Sequence, residues 1–517
     1  MQQKASAGRN VTDVDARQQP ENETATFHRL QARLSEMFER VFPDRLHPRS
    51  VLIIPSLTLD ADVLTKISGV NHYEERLLCM LMLLRMPNTR VVYVTSEPIA
   101  ESVIDYYLNL LPGVPHRHAR ERLTLLSCHD GSDRTLTQKI LDRPRLLRRI
   151  DAALGDKNLA HMVCFNVSPL ERQLAVSLGV PIYGCDPDLQ HLGSKSGSRK
   201  LFRDAGLLLP DGFEDLYGEA DVVEALAALK ARDPGLRRAV VKLNEGFSGE
   251  GNAVFRFDGA PDGAGCVGWI AERLPDMDFA AADMDWPLFR DKLGEMGGIV
   301  EAFIDGPDKR SPSVQFRVDP SGHLTVISTH DQVLGGQRDQ VFLGCRFPAD
   351  AEYRLAIQNE GLKAARLLKE RGVLGRFGID FISVRDGDAW RHYASEVNLR
   401  KGGTTHPFVM LQFLTDGVYD SDSGLFKTAG GQPRYYYATD NLEAEHYRGL
   451  TPEDLIDIAV KNDIHFHSGA QRGVVFHLIG ALSEFGKLGT VCVAPSHEEA
   501  ERLYRETVDI LDREGAV

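Results

Sequence analysis

Four short apolar runs, VLIIP at Val51, RVVYVTS at Arg90, LTLLS at Leu123 and HMVCFNV at His161, alternate with longer helix-like stretches between residues 48 and 190. Runs of this length and character read as buried strands of a parallel sheet with helices on its faces. The segment IIPSLTLD after the first run has neither the glycines nor the phosphate-cradling turn of a dinucleotide fingerprint, which argues against an NAD-binding oxidoreductase. Ahead of the sheet, TFHRLQARLSEMFERVF sets Phe27, Leu30, Leu34, Phe38 and Phe42 at helical spacing. Residues 1–25, almost uniformly polar, are expected to form a disordered tail.

At 517 residues the chain exceeds what one hydrophobic core holds, so several packed units are expected. The first covers 26–190 and ends where LERQLAVSLGVPIYGCDPDL gives way to a Ser, Gly and Lys-rich stretch; the second covers 191–430 and the last 431–517. In the last, LTPEDLIDIA carries a helix start with Thr451 as cap, and a strand TVCVA precedes a helix capped by Ser496, making a small α/β module. The fold class is α/β throughout, with α+β character in the middle unit. No apolar run approaches the ~20 residues that span a bilayer. Formal charge is −14, which argues against a surface built to release counterions from nucleic acid and leaves room only for a local basic pocket for a small anion. Seven cysteines stand singly, as reduced thiols of a cytoplasmic protein would.

The middle unit carries the chemistry. In VVKLNEGFSGEGNAVF an apolar strand delivers Lys242, a loop follows with Gly246, Ser248, Gly249 and Gly251, and a second strand returns. Small residues in such a loop let backbone N–H groups approach phosphate oxygens. It is not a Walker loop, because the lysine precedes the glycines. Further on, GRFGIDFISV and SEVNLRKGGTTHP place Asp380 on one strand and Glu396 and Asn398 on the next, the last two on one face because they are two residues apart. Three oxygen donors so gathered suit magnesium completed by substrate phosphates. Arg400 lies two residues further on that face. GIVEAFIDG ends a strand with Glu301 and Ile304, and SKSGSRKLFRDAGLLLP offers Lys195 and Lys200 at a helix start.

In this order the pieces resemble an ATP-grasp ligase. More narrowly, EVNLRKGGTTHPF and GVVFHLIGALSEFGKLG resemble the peptide ligases of the pheganomycin-synthesis type, over nearly all of the chain beyond residue 48. The resemblance implies a Rossmann-like pre-ATP-grasp domain, an ATP-grasp domain and a small C-terminal domain. It implies ATP and Mg2+, with a carboxylate activated as an acyl phosphate and captured by an amine. Lys195 or Lys200, together with Lys242, would contact phosphates under the glycine loop; Glu301 and Ile304 would hold adenine. Asp380, Glu396 and Asn398 would bind the metal, and Arg400 and Arg376 would act on the transferred group.

HDQVLGGQRDQVFLGCRFP, with His330, Gln332 and Arg338, is expected to face substrate. His116/His118, His465/His467 and His477 are assigned to surface or packing, since no cysteine or carboxylate at ligand spacing accompanies them. Two other outcomes remain for the same fold: a non-amine acceptor, or an ATP-binding sensor without turnover. Partners are small-molecule acids and amines or peptides; a homodimer is common at this size.

Overall fold

The computed structural model describes residues 12–58, 69–246, 251–263, 265–281, 284–335 and 341–516, with backbone alone for 12–21 and 341–342. Strands β1 (Arg49–Ile54), β2 (Thr89–Thr95), β3 (Leu123–Ser127) and β4 (Ala160–Cys164) form a parallel sheet in the order β3-β2-β1-β4. Every β1 residue is buried, and successive side chains go to opposite faces. Val51, Ile53, Val91 and Tyr93 pack against the helical segment Val70–Arg85, while Leu52, Ile54, Val92 and Val94 pack in a second cluster with Phe27. Burial on both faces explains why these strands are continuously apolar.

The opening helix spans Thr12–Arg40, so the tail expected to end at residue 25 is helical from residue 12. Hydrophobic periodicity begins only at Phe27, and the polar sequence before it gave no helical signal. The buried stripe is Phe27, Leu30, Leu34, Met37 and Val41; Phe38 and Phe42 stand half-exposed beside it.

The middle of the chain builds two antiparallel sheets. The smaller has the order β5-β9-β6-β7-β8, from β5 (Gly212–Leu216), β6 (Arg238–Leu243), β7 (Asn252–Arg256), β8 (Asp278–Phe279) and β9 (Gly298–Ala302). Helices Glu219–Arg232, Gly265–Arg273 and Trp286–Met296 cover it around Val241, Phe255 and Phe289. The larger starts with β10 (Pro312–Val318), β11 (Leu324–Gly335), β12 (Val341–Phe347), β13 (Gly375–Asp386) and β14 (Ala389–Asn398). A small hairpin, β15 (Val418–Asp420) with β16 (Leu425–Lys427), follows.

The C-terminal module makes no sheet of its own. Its strands β17 (Tyr435–Glu443), β18 (Gly473–His477) and β19 (Lys487–Ala494) extend the large sheet into eight strands, β14-β13-β10-β11-β12-β17-β19-β18. The helix Pro452–Lys461 starts where expected, with Thr451 Oγ1 accepting the Asp454 N–H at 3.2 Å. Ser496 caps the helix His497–Gly515 in the same way. One hydrophobic cluster runs from Val51 and Leu78 through Phe347, Phe408 and Tyr436 to Val491 and Leu511, so the first and last units share a core. Phe347, fully buried, stacks on Tyr436 at 4.7 Å and meets Phe408 edge-on at 5.7 Å. Phe347→Ala is expected to destabilise the protein by about 3–5 kcal/mol, read from chemical denaturation.

Candidate functional site

Strands β13 and β14 are joined by the two-residue loop Gly387–Asp388, with Gly387 at φ 62°, a conformation hairpin turns favour and glycine adopts freely. From that turn the ladder runs regularly to Phe381↔Ala394, where a bulge leaves Ser395 unmatched and resumes at Asp380↔Glu396. Glu396 therefore stands directly across from Asp380, and Asn398 Nδ2 donates to Asp380 Oδ2 at 2.9 Å. Burial and the facing Glu396 raise the Asp380 carboxyl to about 7, against the pull of Lys195, Arg400 and a hydrogen bond from Gln332. The expected trio is thus assembled, and Gln332 joins it.

Lys195 is nearly buried and its Nζ lies 2.5 Å from Glu396 Oε1. It begins the helix Lys195–Asp204, capped by Ser194. Three contacts that sequence reading missed fix that helix: Asn244 Oδ1 accepts the Ser196 N–H at 2.9 Å, the Asn244 carbonyl accepts the Lys195 N–H at 3.2 Å, and Ser198 Oγ accepts the Val397 N–H at 3.1 Å. Gly197 lets the helix start close on the preceding turn, since a Cβ there would lie 1.9 Å from the His191 carbonyl oxygen. Lys200, in contrast, is half-exposed and pairs with Asp215 at 2.5 Å, so it is not gathered with the trio. Five residues of helix turn it about 140° from Lys195.

Lys242 projects from β6 to Glu301 Oε2 at 2.7 Å, and Arg199 Nη1 reaches Glu301 Oε1 at 2.5 Å. Burial alone would raise the Glu301 carboxyl, but Lys242 and Arg199 outweigh it and hold it below its ordinary value. The carboxylate is committed to these cations rather than turned toward a base, while Ile304 stays half-buried just beyond the strand. Arg199 escaped sequence reading because nothing local marks it. A cavity of about 670 Å3 beside this network, lined by Arg199, Arg203, Pro210 and Arg232 among others, includes none of the acidic trio. Gly246 and Gly251 pinch the base of the glycine loop, where a Cβ on Gly246 would meet the Gly251 backbone at 3.4 Å. Ser248, Gly249 and Arg338 lie outside the described residues.

Arg400 is half-buried; burial lowers its pKa, and the charges of Glu396 and Asp380 act on it in the opposite direction. Arg376 is not at the trio. It lies four residues before Asp380, about 13 Å along a strand, with its guanidinium 5.9 Å from the Phe408 ring. His330 does not face an open site either: it is fully exposed to no solvent, its Nε2 2.7 Å from the Tyr436 hydroxyl and its ring against Phe347, and burial lowers it to about 3. Its alternate neighbours on β11 gave no sign that the strand runs into the shared core. His477 is buried and packs on His406 at 4.3 Å. His465 and His467 do gain a carboxylate, as Asp463 Oδ1 stands 3.0 Å from His467 Nε2 across a turn where Asp463 has φ 57°.

Comparison with known proteins follows the same lines. Residues 187–258 and 279–422 match the family described as IQCH-like, ATP-grasp, and residues 454–507 match the PGM1 C-terminal domain. The chain is 31% identical over 460 residues to L-propargylglycine--L-glutamate ligase of Streptantibioticus cattleyicolor, covering 87% of this chain and 91% of that protein. Among solved structures, a biotin carboxylase–β,γ-ATP complex from Campylobacter jejuni shares the fold at TM-score 0.53 and 14% identity, covering 91% of this chain and 95% of that one. An ADP complex of N5-carboxyaminoimidazole ribonucleotide synthetase does so at TM-score 0.51 and 14% identity, covering 90% and 98%.

Glu301→Gln leaves buried Lys242 without its counter-charge and Arg199 with Glu214 alone, and is expected to cost about 3–5 kcal/mol of stability at pH 7 by denaturant titration. Because the folded Glu301 pKa is depressed, its contribution is present above the unfolded carboxylate value and lost as pH falls through the folded one. Asp380→Asn acts oppositely. The folded Asp380 pKa is raised, so the stability cost of the wild-type carboxyl grows as pH rises from the unfolded carboxyl value and is complete above about 7. In metal-free protein the variant is expected to melt above wild type at pH 8, by calorimetry.

Proposed function

The chain belongs to the ATP-grasp peptide ligases, which form amide bonds with ATP, and from that premise we propose that it joins the carboxylate of one amino acid to the amine of another amino acid or peptide through an acyl phosphate. The observation that carries the proposal is the convergence of Lys195, Asp380, Glu396 and Asn398 at one end of the β13–β14 hairpin, with Arg400 beside them. The similar ligase of Streptantibioticus cattleyicolor joins two amino acids by name, which supports the same substrate class here.

Two carboxylates and an amide, all hard oxygen donors, face each other where burial and then the Glu396 charge raise Asp380 to about 7, and this donor set fits magnesium. Asp380, Glu396 and Asn398 would hold it, the Asn398 amide turning its oxygen inward; when bound, magnesium neutralises charge on the β- and γ-phosphates. Lys195, freed from Glu396, and Lys242 would each hold phosphate oxygens. Arg400 would orient the substrate carboxylate in line with the γ-phosphorus. A carboxylate oxygen bonds to that phosphorus as the bond to the ADP oxygen breaks. The amine nitrogen then bonds to the acyl carbon, phosphate leaves, and the ammonium proton passes to solvent. Positioning and charge stabilisation supply the catalysis, with no covalent nucleophile.

Among the described residues no helix is long and apolar enough to cross a membrane. All seven cysteines are buried free thiols, which supports our placing the protein in the cytoplasm. The test is ADP release with Mg-ATP, an amino-acid pool and hydroxylamine as amine trap. Hydroxamate is expected in proportion to ADP, falling at least about a hundredfold in Glu396→Gln; ATP binding with neither product in wild type would refute the proposal.

A further inference from the structure

The face of the large sheet that carries Asp380 also carries two arginines in an unusual setting. The β10–β13 ladder sets Arg317 directly opposite Arg376, and residues 376, 378 and 380 share one face, while Phe377 and Ile379 enter the core behind. Like charges placed opposite on neighbouring strands repel, and half-buried charges without partners cost more still. Among the described residues neither guanidinium has a hydrogen bond or ion pair, and Arg317 Nε is fully covered without an acceptor. The Tyr183 hydroxyl, which feels both arginines, is likewise buried without a partner. Lys401 adds a third positive charge near Arg376. The neighbouring Asp319 is occupied by the Ser321 and His323 N–H groups at 3.0 and 2.9 Å. The Arg317, Arg376, Tyr183 and Lys401 side chains are each half-buried.

From this geometry we infer that Arg317 and Arg376, with the Tyr183 hydroxyl, form a subsite for a carboxylate of an amino-acid substrate other than the carboxylate being activated. The inference rests on the ligase reading and adds the recognition element to it. Two facing guanidiniums match the two oxygens of a carboxylate, and an anion between them removes their repulsion. The position fits as well. Asn398 pairs with Gly378, which is two residues from Arg376 on β13, and Asn398 is itself two residues before Arg400, so Arg376 and Arg400 adjoin the same end of the hairpin. A reacting carboxylate held at Arg400 leaves the arginine pair for a second carboxylate. The second carboxylate belongs either to a dicarboxylic acyl donor or to the α-carboxylate of the acceptor.

The test uses the full chain and the variants Arg317→Gln and Arg376→Gln. Ligand-free variants are expected to melt at or above the wild-type temperature, because each loses an unpaired like charge; a fall of several degrees in both would mark a structural role and overturn the inference. In the ADP-release assay with the amino acids found active on wild type, KM for one of them is expected to rise roughly ten- to hundredfold in both variants. KM for ATP stays within about twofold, and Arg376→Lys recovers part of the loss. Which KM moves distinguishes donor from acceptor. The amide or ester of that amino acid's unreacted carboxylate should reproduce the loss on wild type and add little on the variants. A drop in kcat with every KM unchanged would overturn the inference. If wild type forms no ADP, the ligase reading has failed, and calorimetric titration with L-glutamate, L-aspartate and L-alanine decides the subsite alone. Binding to wild type weakened tenfold in the variants sustains it, while equal binding or none overturns it.

Discussion

The register of the β13–β14 hairpin is the constraint on which the site depends. A ladder continued without the bulge would pair Asp380 with Ser395 and turn Glu396 and Asn398 to the opposite face, into the core. One extra residue reverses that. It places two carboxylates where they repel, a cost relieved in this structure by the Lys195 ammonium at Glu396 and the Asn398 amide at Asp380. A site built for a divalent cation and phosphates is therefore held together, before they arrive, by groups that can exchange for them.

Burial sets how strongly those charges act. Glu301 is almost entirely out of water, and only the paired cations Lys242 and Arg199 keep it ionised. The same arrangement anchors Lys242 at the end of β6, and Asn244 just beyond links that strand to the helix bearing Lys195. Both lysines are thus positioned by hydrogen bonds between the small sheet and the helix Lys195–Asp204. The Arg317–Arg376 pair stands in the opposite condition, charged, partly covered and unpaired. Its repulsion makes it a receptor for an anion rather than a strut.

The rest of the chain gives this site a stiff frame. Strands from the C-terminal module complete the large sheet, and Phe347, Phe408 and Tyr436 pack between that sheet and the helices of the N-terminal unit. Elements 460 residues apart in the sequence, at Val51 and Leu511, share one core, so the walls around Arg400 and the arginine pair do not drift independently.

Much of this was written in local pattern. Apolar runs fixed the parallel sheet, spacing put Glu396 and Asn398 on one face, and Thr451 and Ser496 marked helix starts, because strand alternation and capping depend only on near neighbours. Family resemblance added the order of the motifs, though not which of Lys195 and Lys200 reaches the trio. Tertiary structure alone decided what needed distant partners: the bulge at Ser395, the choice of Lys195 over Lys200, the burial of His330, the helix extending back to Thr12 and the facing of Arg317 with Arg376. Periodicity tells which way a side chain points relative to its neighbours. Only the packed fold determines what it points at, and hence whether its charge is paired, buried or free to bind.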